Sequence, residues 1–343
     1  MVFVPTIKQN KIVDRKMNYR NFKGNNIAEV GLGTWQLGSA EWGEIDKEEA
    51  FQILQTYVSL GGNFIDTADV YGMGISEAII GEFLKSQENE IFVATKLGRR
   101  QDQPNGWPQN FTYDAMRRHV ESSLDRLGIS QLFLEQLHCV PFKELQEGNV
   151  FNHLRRLKEE GLIRHFGASV ETVEEALLCL EQEGVDSLQI IFNLFRQHVA
   201  DELFEKSHEK GVALIVRVPL ASGLLAGSFT KETTFAAADH RNFNADGEAF
   251  NVGETFSGIL FEEGINLAEE IKKKLPNGNM AEWAIRWILD HPQVTSVIPG
   301  ASKVNQVKNN VAASKLSPLS SETHKQLRQL YDNNIKAKIR GAY

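Results

Sequence analysis

The sequence has few cysteines, no dense cluster of basic residues and no long apolar run. Its two cysteines, Cys139 and Cys179, are too few for a disulfide framework and lack the CxxC spacing of a metal or redox site. The 37 basic residues are outnumbered by 45 acidic ones, and the resulting formal charge of −8 disfavours nucleic acid as a partner. The longest apolar stretch, residues 213–227, is interrupted by Arg217 and Pro219 and is too short to span a membrane. We therefore expect a cytoplasmic protein without a nucleic-acid or membrane partner.

The composition indicates a globular protein with a sizeable core. Hydrophobic residues make up 42% of the 343 residues and charged residues 24%. Residues 1–16 precede a second methionine, Met17, and lack the apolar centre and the cleavage site of a signal peptide. We interpret them as an N-terminal extension or a misassigned start. One domain follows over 17–343, because no linker, repeat or low-complexity stretch divides the remainder.

Short apolar runs alternate with amphipathic helical patterns along most of the chain. The strand-like runs lie at 31–35, 63–67, 91–96, 132–138, 162–169, 187–192, 212–218 and 294–300. Eight such units favour a closed α/β barrel of the (β/α)8, or TIM, type. An open doubly wound sheet would usually carry a glycine-rich phosphate turn after its first strand, and the GLG at 31–33 opens no helix.

Two segments depart from this regular spacing. A long insert follows the seventh strand, between Pro219 and Val294, and contains helical patterns around 259–274 and 279–290. Long loops in a compact domain are usually lids or binding loops, but the sequence assigns no role to residues 228–262. The tail at 320–335 has the pattern of one more helix, packed outside the barrel.

Four titratable residues stand at or just after neighbouring strand ends. Asp66 closes the second strand and is followed by Tyr71, while Lys96 ends the third strand. His138 ends the fourth. The active site of such a barrel lies at the carboxyl ends of its strands, so these side chains should approach one point. One residue of this kind alone is more often a cap or a solvated side chain, but four with this spacing indicate a site.

These residue types suit proton transfer to a carbonyl oxygen. Tyrosine is a weak acid with an ordinary pKa of about 10, and a nearby ammonium such as that of Lys96 stabilises its phenolate. Asp66 would keep a buried Lys96 charged, and His138 could orient the carbonyl oxygen or share the proton. No HExxH or paired His/Cys pattern supports a metal. The four residues would thus protonate a carbonyl while another group delivers a hydride.

The segments around these residues resemble those of the aldo-keto reductase superfamily. Four motifs stand in that family's order: GLGTWQLG at 31–38, DTADVYG at 66–72, ATK at 94–96 and QLHC at 136–139. The resemblance covers 17–343. It implies a (β/α)8 barrel that binds NADP(H) across the carboxyl-end rim and reduces an aldehyde, ketone or sugar carbonyl.

Carried over position by position, the resemblance implies roles for individual residues. Tyr71 becomes the general acid/base, Asp66 and Lys96 tune it, and His138 positions the substrate oxygen. The positions that match the family's cofactor contacts are Ser169, Gln189, Arg217, Pro219, Leu220, Ala221, Gly223, Gly300, Ser302, Lys303, Gln306 and Asn310.

Two tryptophans are candidates for substrate contact. Trp35 matches a pocket position of the family, and Trp107 lies on a loop of the same face, where a flat indole can pack against a sugar ring or an alkyl chain. For Trp107 the alternative, an aromatic that anchors its own loop, is equally open.

Three positions depart from the family's usual cofactor site. The family often places two basic residues around the 2′-phosphate of NADP, where this chain has Gly300 and Gln306, so Lys303 is the cation that remains nearby. NADP(H) is therefore the expected cofactor, with NAD(H) as the alternative. Arg217 replaces the aromatic ring that the family stacks on the nicotinamide; its planar guanidinium can stack too, or can turn to an acid of the insert.

The sequence leaves two alternative functions open. In a barrel aldolase, Lys96 would form a Schiff base that borohydride traps, although DTADVYG and the IPGAS segment at 298–302 argue against it. A non-catalytic or slow cofactor-sensing subunit, like the potassium-channel beta subunits that share this barrel, would be supported by a partner gene or by very slow turnover. The leading prediction is an NADP(H)-dependent reductase that acts on a small carbonyl or sugar.

Overall fold

Eight parallel strands form the centre of the computed structural model, which describes residues 17–38, 45–100 and 111–343. In chain order, a hairpin consists of β1 (Tyr19–Phe22) and β2 (Asn25–Ala28), and the central strands are β3 (Leu32–Gly33), β4 (Phe64–Asp66), β5 (Phe92–Leu97), β6 (Leu132–His138), β7 (Ile163–Ser169), β8 (Ser187–Ile191), β9 (Ala213–Arg217) and β10 (Val294–Val297). Each central strand pairs in parallel with the next. Parallel bridges from Val30 to Val297 and from Gly33 to Gly300 join β3 to β10 and close the ring. The predicted (β/α)8 barrel and its eight strand positions are confirmed.

Helices surround the barrel on the outside. They are α1 (Lys47–Ser59), α2 (Ile75–Leu84), α3 (Tyr113–Leu127), α4 (Phe142–Glu147), α5 (Asn149–Glu159), α6 (Val173–Leu180), α7 (Val199–Glu202), α8 (Phe204–Glu209), α9 (His240–Phe243), α10 (Phe261–Lys272), α11 (Met280–Leu289), α12 (Val304–Ala312) and α13 (Ser321–Leu330). The insert supplies α9 to α11 and the tail supplies α13, so the helices predicted in both segments are confirmed. None of these helices has both the length and the apolar character needed to cross a membrane.

The hairpin closes the amino end of the barrel. Lys23 and Gly24 form its two-residue turn with positive φ angles of 48° and 89°, which match the twist of paired strands. Phe22 is fully buried among the residues that begin the barrel strands, with its ring centroid 5.3 Å from that of Phe133. The hairpin lies outside the predicted strands. Because aromatic side chains fill this end of the barrel, the opposite end is the one available for an active site.

The barrel strands are buried on both faces, because helices cover the outside and side chains fill the inside. Every residue of β5, β6 and β8 is buried. Alternation along β5 sends Lys96 into the barrel, where it meets Asp66, and Thr95 outward to a hydrogen bond with Glu77 of α2. The strand period therefore decides which polar side chains reach the interior.

Candidate active site

A cavity of about 440 Å³ opens at the carboxyl ends of the barrel strands. The predicted site residues that line it are Trp35, Asp66, Tyr71, His138, Gln189, Arg217, Pro219, Leu220, Gly223, Gly300, Ser302, Gln306 and Asn310. Lys96, Ser169, Ala221 and Lys303 are not part of its wall, and Trp107 is outside the residues that the structure describes. Segments that are distant in sequence thus converge on one cavity.

Asp66 and Lys96 form a buried ion pair at the base of this cavity. Nζ of Lys96 lies 2.5 Å from Oδ1 of Asp66 and also donates to the carbonyl oxygen of Thr67 at 2.7 Å. The two side chains are 1% and 3% exposed. Oδ2 of Asp66 accepts from the amide nitrogens of Gln189 at 2.7 Å and Gln136 at 3.3 Å. Both carboxylate oxygens are therefore hydrogen-bonded, and the ammonium is held in place. Gln136 is a member of this network that was not predicted.

Tyr71 faces the ammonium of Lys96. Nζ lies 5.1 Å from the centroid of the phenol ring. Burial raises the pKa of Tyr71 above its ordinary value, and Lys96 lowers it without overcoming the burial. Burial acts to lower the pKa of Lys96, but Asp66 and Tyr71 together raise it above its ordinary value. Both groups are therefore protonated at neutral pH. Lys96 acts in the predicted direction, but the net change in the phenol pKa is upward.

Glycine geometry fixes the loop that carries Tyr71. Gly72 has a φ of 57°, and a Cβ at this position would lie 1.8 Å from the carbonyl oxygen of Gly38. A side chain at residue 72 would therefore push the two loops apart. The hydroxyl of Ser76 ties the same loop to the barrel, since it contacts the hydroxyls of both Thr67 and Thr34 at 2.9 Å.

His138 presents a neutral imidazole to the cavity. Its ring centroid lies 5.9 Å from that of Tyr71, in an edge-on arrangement. Burial holds the pKa of His138 well below its ordinary value, and the charges of Arg99, Lys96 and Arg217 lower it further. Nδ1 is buried and has no hydrogen-bond partner among the described residues. The ring can therefore form a further polar contact without carrying a charge.

Trp35 covers one face of Tyr71. The two rings are nearly parallel, with centroids 5.9 Å apart and an interplanar angle of 15°. The insert supports the indole, because His240 and Phe250 lie 5.0 and 5.9 Å from it, centroid to centroid. Trp35 therefore shields one face of the phenol ring.

Arg217 lines the cavity and also pairs with an acid of the insert. Its Nη1 lies 3.3 Å from Oε2 of Glu254, and its Nη2 donates to the carbonyl oxygen of Val170 at 3.1 Å. Glu254 lines the cavity as well. Arg217 is thus paired with an acid of the insert, as one of the two alternatives predicts, while it stays on the cavity wall; its stacking on a nicotinamide remains a prediction.

Four charged residues form one cluster beside the cavity, which we call the arginine–glutamate cluster: Arg99, Glu171, Arg217 and Glu254. Arg99 joins the two acids, with Nη1 3.4 Å from Glu254 and Nη2 2.8 Å from Glu171. Ligand atoms of Cys139, Glu171 and Glu254 lie within 4.8 Å of one another, a spacing that could hold a cation. Because guanidiniums already pair with both carboxylates, we interpret the group as an ion-pair cluster.

The segment after β9 turns sharply at the cavity wall. Ala221, Ser222 and Gly223 have successive positive φ angles of 47°, 53° and 103°. Such a run of left-handed residues forms concave backbone surfaces that can bind anions. The N–H groups of Ala221 and Gly223 donate to the carbonyl oxygens of Val218 and Leu220 within the turn. The segment, which contains four of the predicted cofactor contacts, is thus a folded turn in which these two N–H groups already have partners.

The far end of the cavity lies at the start of α12. Oε1 of Gln306 accepts from the backbone N–H groups of Ser302 and Lys303 at 2.7 and 3.2 Å. Nζ of Lys303 pairs with Glu49 of α1 at 3.0 Å. The cation expected at a 2′-phosphate thus has an acidic neighbour that the sequence did not indicate.

Several residues of the cavity wall lie outside the sequence predictions. They include Gln36, Ser228, Phe229, Arg241, Glu254, Asn279 and Ala281. Arg241 pairs with Asp239 and lies 4.4 Å from the ring centroid of Phe235. All of those just named except Gln36 belong to the insert, where no strand end marks a position as part of the site. Gln36 stands in the GLGTWQLG motif, which was the available signal.

Comparisons with known proteins agree with one another. A model of the aldo/keto reductase family matches residues 29–332. The chain is 30% identical to the uncharacterized oxidoreductase YqkF of Bacillus subtilis, over 88% of this chain and 92% of that protein. It is 28% identical to the NADH-specific methylglyoxal reductase of Escherichia coli, over 84% of this chain and 90% of that protein. The structure of the glycerol dehydrogenase AKR11B4 of Gluconobacter oxydans matches with a TM-score of 0.77 at 26% identity, over 97% of this chain and 99% of that one.

Proposed function

This chain belongs to the aldo/keto reductase family, and on that premise we propose that it reduces an aldehyde, ketone or sugar carbonyl with NADP(H), or with NAD(H) as the alternative. The observation that carries the proposal is the meeting of Tyr71, Asp66 and His138 at one end of the cavity, with Lys96 behind them in contact with Asp66 and Tyr71. A protonated phenol, a fixed ammonium and a neutral imidazole together suit the protonation of a carbonyl oxygen.

The cavity suits a nicotinamide dinucleotide. Its wall runs from Tyr71 and His138 to Ser302 at the start of α12, and its volume is in the range of small-molecule sites. Oε1 of Gln36, Nδ1 of His138 and Nε of Arg217 are buried without a hydrogen-bond partner among the described residues. Such atoms are rare in folded proteins unless a ligand or water satisfies them. When bound, the reduced cofactor supplies a hydride to the carbonyl carbon.

The side chains of the site perform the proton transfer. Tyr71 donates its phenolic proton to the carbonyl oxygen, which becomes the hydroxyl of the product alcohol. The ammonium of Lys96 stabilises the phenolate that remains, and Asp66 keeps Lys96 charged. The neutral ring of His138 can hydrogen-bond to the same oxygen and orient it, while Trp35 keeps water from one face of the phenol.

The pH dependence of the reaction follows from these protonation states. Reduction requires the protonated phenol, whose pKa is raised above 10, and a histidine that stays neutral. kcat/KM for reduction should therefore be flat between about pH 5 and pH 9, whereas oxidation of the alcohol, which needs the phenolate, should rise with pH. The measurement is a pH series with a substrate that does not titrate. A break near pH 6.5 in the reduction profile, the ordinary pKa of histidine, would contradict the neutral imidazole.

Lys303 should govern the choice between the two cofactors. Lys303→Ala is expected to weaken NADPH about tenfold more than NADH, because a charge-assisted contact to the 2′-phosphate is lost with the first cofactor only. Glu49 competes for the same ammonium, so Glu49→Gln should tighten NADPH relative to NADH. Dissociation constants from fluorescence titration test both effects. Lys308→Ala, an exposed change on the same helix, is the control; equal losses for both cofactors in Lys303→Ala would refute the role.

The substrate range can be determined by screening candidate carbonyl compounds and alcohols for turnover. Relatives include an NADH-specific methylglyoxal reductase and a glycerol dehydrogenase, so methylglyoxal and glycerol belong in the panel beside aldehydes, ketones and sugars. Each compound should be tested in the direction that its oxidation state allows and with each cofactor. Turnover of at least one carbonyl supports the proposal, and cofactor binding without any turnover would favour the cofactor-sensing alternative.

A further inference from the structure

The arginine–glutamate cluster takes no part in the proton transfer, yet two of its members reach the cavity wall. We propose that Glu254, with Glu171 behind it, screens the charge of Arg217 and so sets how strongly the site prefers reduced over oxidised nicotinamide. This inference rests on the proposed function, because it requires a nicotinamide cofactor beside Arg217.

The cluster places one guanidinium and one carboxylate at the cavity. Arg217 and Glu254 line it together with Tyr71 and His138. Their closest charged atoms are 3.3 Å apart, and the two residues are 8% and 6% exposed. A charge this close to the reacting end, with little water around it, is only weakly screened by salt.

Hydrogen bonds hold the members of the cluster in fixed positions. Arg217 donates to the carbonyl oxygen of Val170 at 3.1 Å. The hydroxyl of Ser222 donates to the carbonyl oxygen of Glu254 at 3.0 Å, which ties the acid's backbone to the turn after β9. Asn251 donates to Glu171 at 3.3 Å. Because these contacts restrain the side chains, the charges act as a preorganised set rather than as mobile surface groups.

The protonation states of the two acids support their screening role. Burial raises the pKa of Glu254, but Arg217 and Arg99 more than offset this, so that its net pKa is below the ordinary value. Burial and the neighbouring Glu254 raise the pKa of Glu171. Glu254 is therefore the firmly ionised member, and it is also the one that contacts Arg217.

Other titratable groups lie close to the cluster and contribute to its net charge. Arg196 donates to the carbonyl oxygen of Glu171 at 3.2 Å and remains positive, since burial lowers its pKa only to about 10. Cys139 and His138 are uncharged at neutral pH, because burial raises the pKa of the thiol to about 11 and lowers that of the imidazole. Glu175 adds a further carboxylate beside Glu171, whose backbone N–H donates to it at 2.8 Å. Three guanidiniums therefore stand near three carboxylates, so the intact site should distinguish the reduced from the oxidised cofactor only weakly.

The nicotinamide ring changes its charge with its redox state, so a charged cluster beside it can discriminate between the oxidised and the reduced cofactor. The nicotinamide ring is cationic when oxidised and neutral when reduced. A positive neighbour therefore repels only the oxidised form, and a carboxylate that screens this neighbour relieves the repulsion. Removal of an acid and removal of a base from the cluster must then shift the preference in opposite directions. A purely structural cluster would not produce this reversal of sign.

The test is the ratio of two dissociation constants, oxidised over reduced cofactor, measured by fluorescence titration of the whole protein. Glu254→Gln should raise this ratio about tenfold, because Arg217 loses its nearest counterion. Arg217→Gln should lower it. Glu171→Gln should raise it by a smaller factor, and it provides a second acid variant if Glu254→Gln folds poorly. Glu270→Gln, an exposed acid on α10, is the matched control and should leave the ratio unchanged.

The outcomes separate this inference from the proposed function. Opposite shifts in the acid and base variants support it. Two results would overturn the inference while leaving the reductase proposal intact. One is a ratio within about twofold of wild type in both Glu254→Gln and Glu171→Gln. The other is a ratio that rises in Arg217→Gln as it does in the acid variants. Failure of the wild-type protein to bind either cofactor form would overturn both.

Discussion

Tyr71→Phe should reduce the rate of carbonyl reduction by at least about 10²- to 10⁴-fold, because it removes the only proton that the site offers to the substrate oxygen in our account. The ring itself remains, so its contact with Trp35 and the shape of the cavity are kept. Dissociation constants for NADPH and NADH should therefore stay close to those of the wild type. Steady-state kinetics and fluorescence titration on the same preparation measure the two effects.

A second tyrosine provides the control for this experiment. Tyr113 begins α3 and hydrogen-bonds to Glu160 on the protein surface. Tyr113→Phe removes a hydroxyl of the same kind and should leave turnover unchanged. Wild-type turnover in Tyr71→Phe would show that another group donates the proton.

Asp66→Asn should be strongly destabilising, by about 3–5 kcal/mol, because it leaves the ammonium of Lys96 buried without its counterion. Activity should fall as well, since a neutral Lys96 no longer stabilises the phenolate of Tyr71. Chemical denaturation gives the free energy of unfolding. Lys96→Met added to Asp66→Asn removes the isolated charge, so the double variant should lose less stability than the sum of the two single variants.

The pH dependence of stability distinguishes this explanation from a general packing defect. In the wild type the pKa of Lys96 is raised above 10.5, so its stabilising contribution is complete at neutral pH and is lost only as the pH rises through that raised value. In Asp66→Asn, burial should hold the pKa of Lys96 below its unfolded value. The stability of the variant should then increase with pH on the alkaline side, where Lys96 can fold uncharged. A pH-independent loss would point to packing instead.

The barrel could be predicted because each of its strands is marked locally. Strand-like runs such as 91–96 and 132–138 are bounded by helical patterns, and their polar ends at Lys96 and His138 stand out from apolar neighbours. The β1–β2 hairpin gave a weaker signal, since each of its strands has four residues and the turn is Lys23–Gly24 rather than a sequence with a strong turn preference.

Some charged residues of the site have ion-pair partners that are distant in sequence. These pairs depend on long-range packing, so the sequence alone does not identify them. Lys303 and Glu49 are 254 residues apart, and neither residue's neighbours indicate the pair. Glu254 lies in an insert without strand spacing, so its contacts with Arg217 and Arg99 emerge only from the fold. The net rise in the pKa of Tyr71 depends on how deeply the ring is buried, which is a property of the packed loops.

The aldolase alternative requires a neutral Lys96 as nucleophile. The structure instead gives Lys96 two hydrogen-bond acceptors, the carboxylate of Asp66 and the carbonyl oxygen of Thr67, and a raised pKa. A protonated amine has no lone pair with which to attack a carbonyl. Borohydride added with substrate should therefore leave Lys96 unmodified in a mass spectrum, and a covalent adduct on this residue would support the aldolase.

The most direct test of carbonyl reduction is the fate of deuterium from the cofactor. The protein is incubated with NADPH or NADH that carries two deuterium atoms at nicotinamide C4 and with a carbonyl that the screen identifies. We predict one deuterium on the carbinol carbon of the alcohol, an unlabelled hydroxyl proton, and product formation that depends on Tyr71. An alcohol without deuterium, or no consumption of cofactor with any carbonyl, would contradict this prediction.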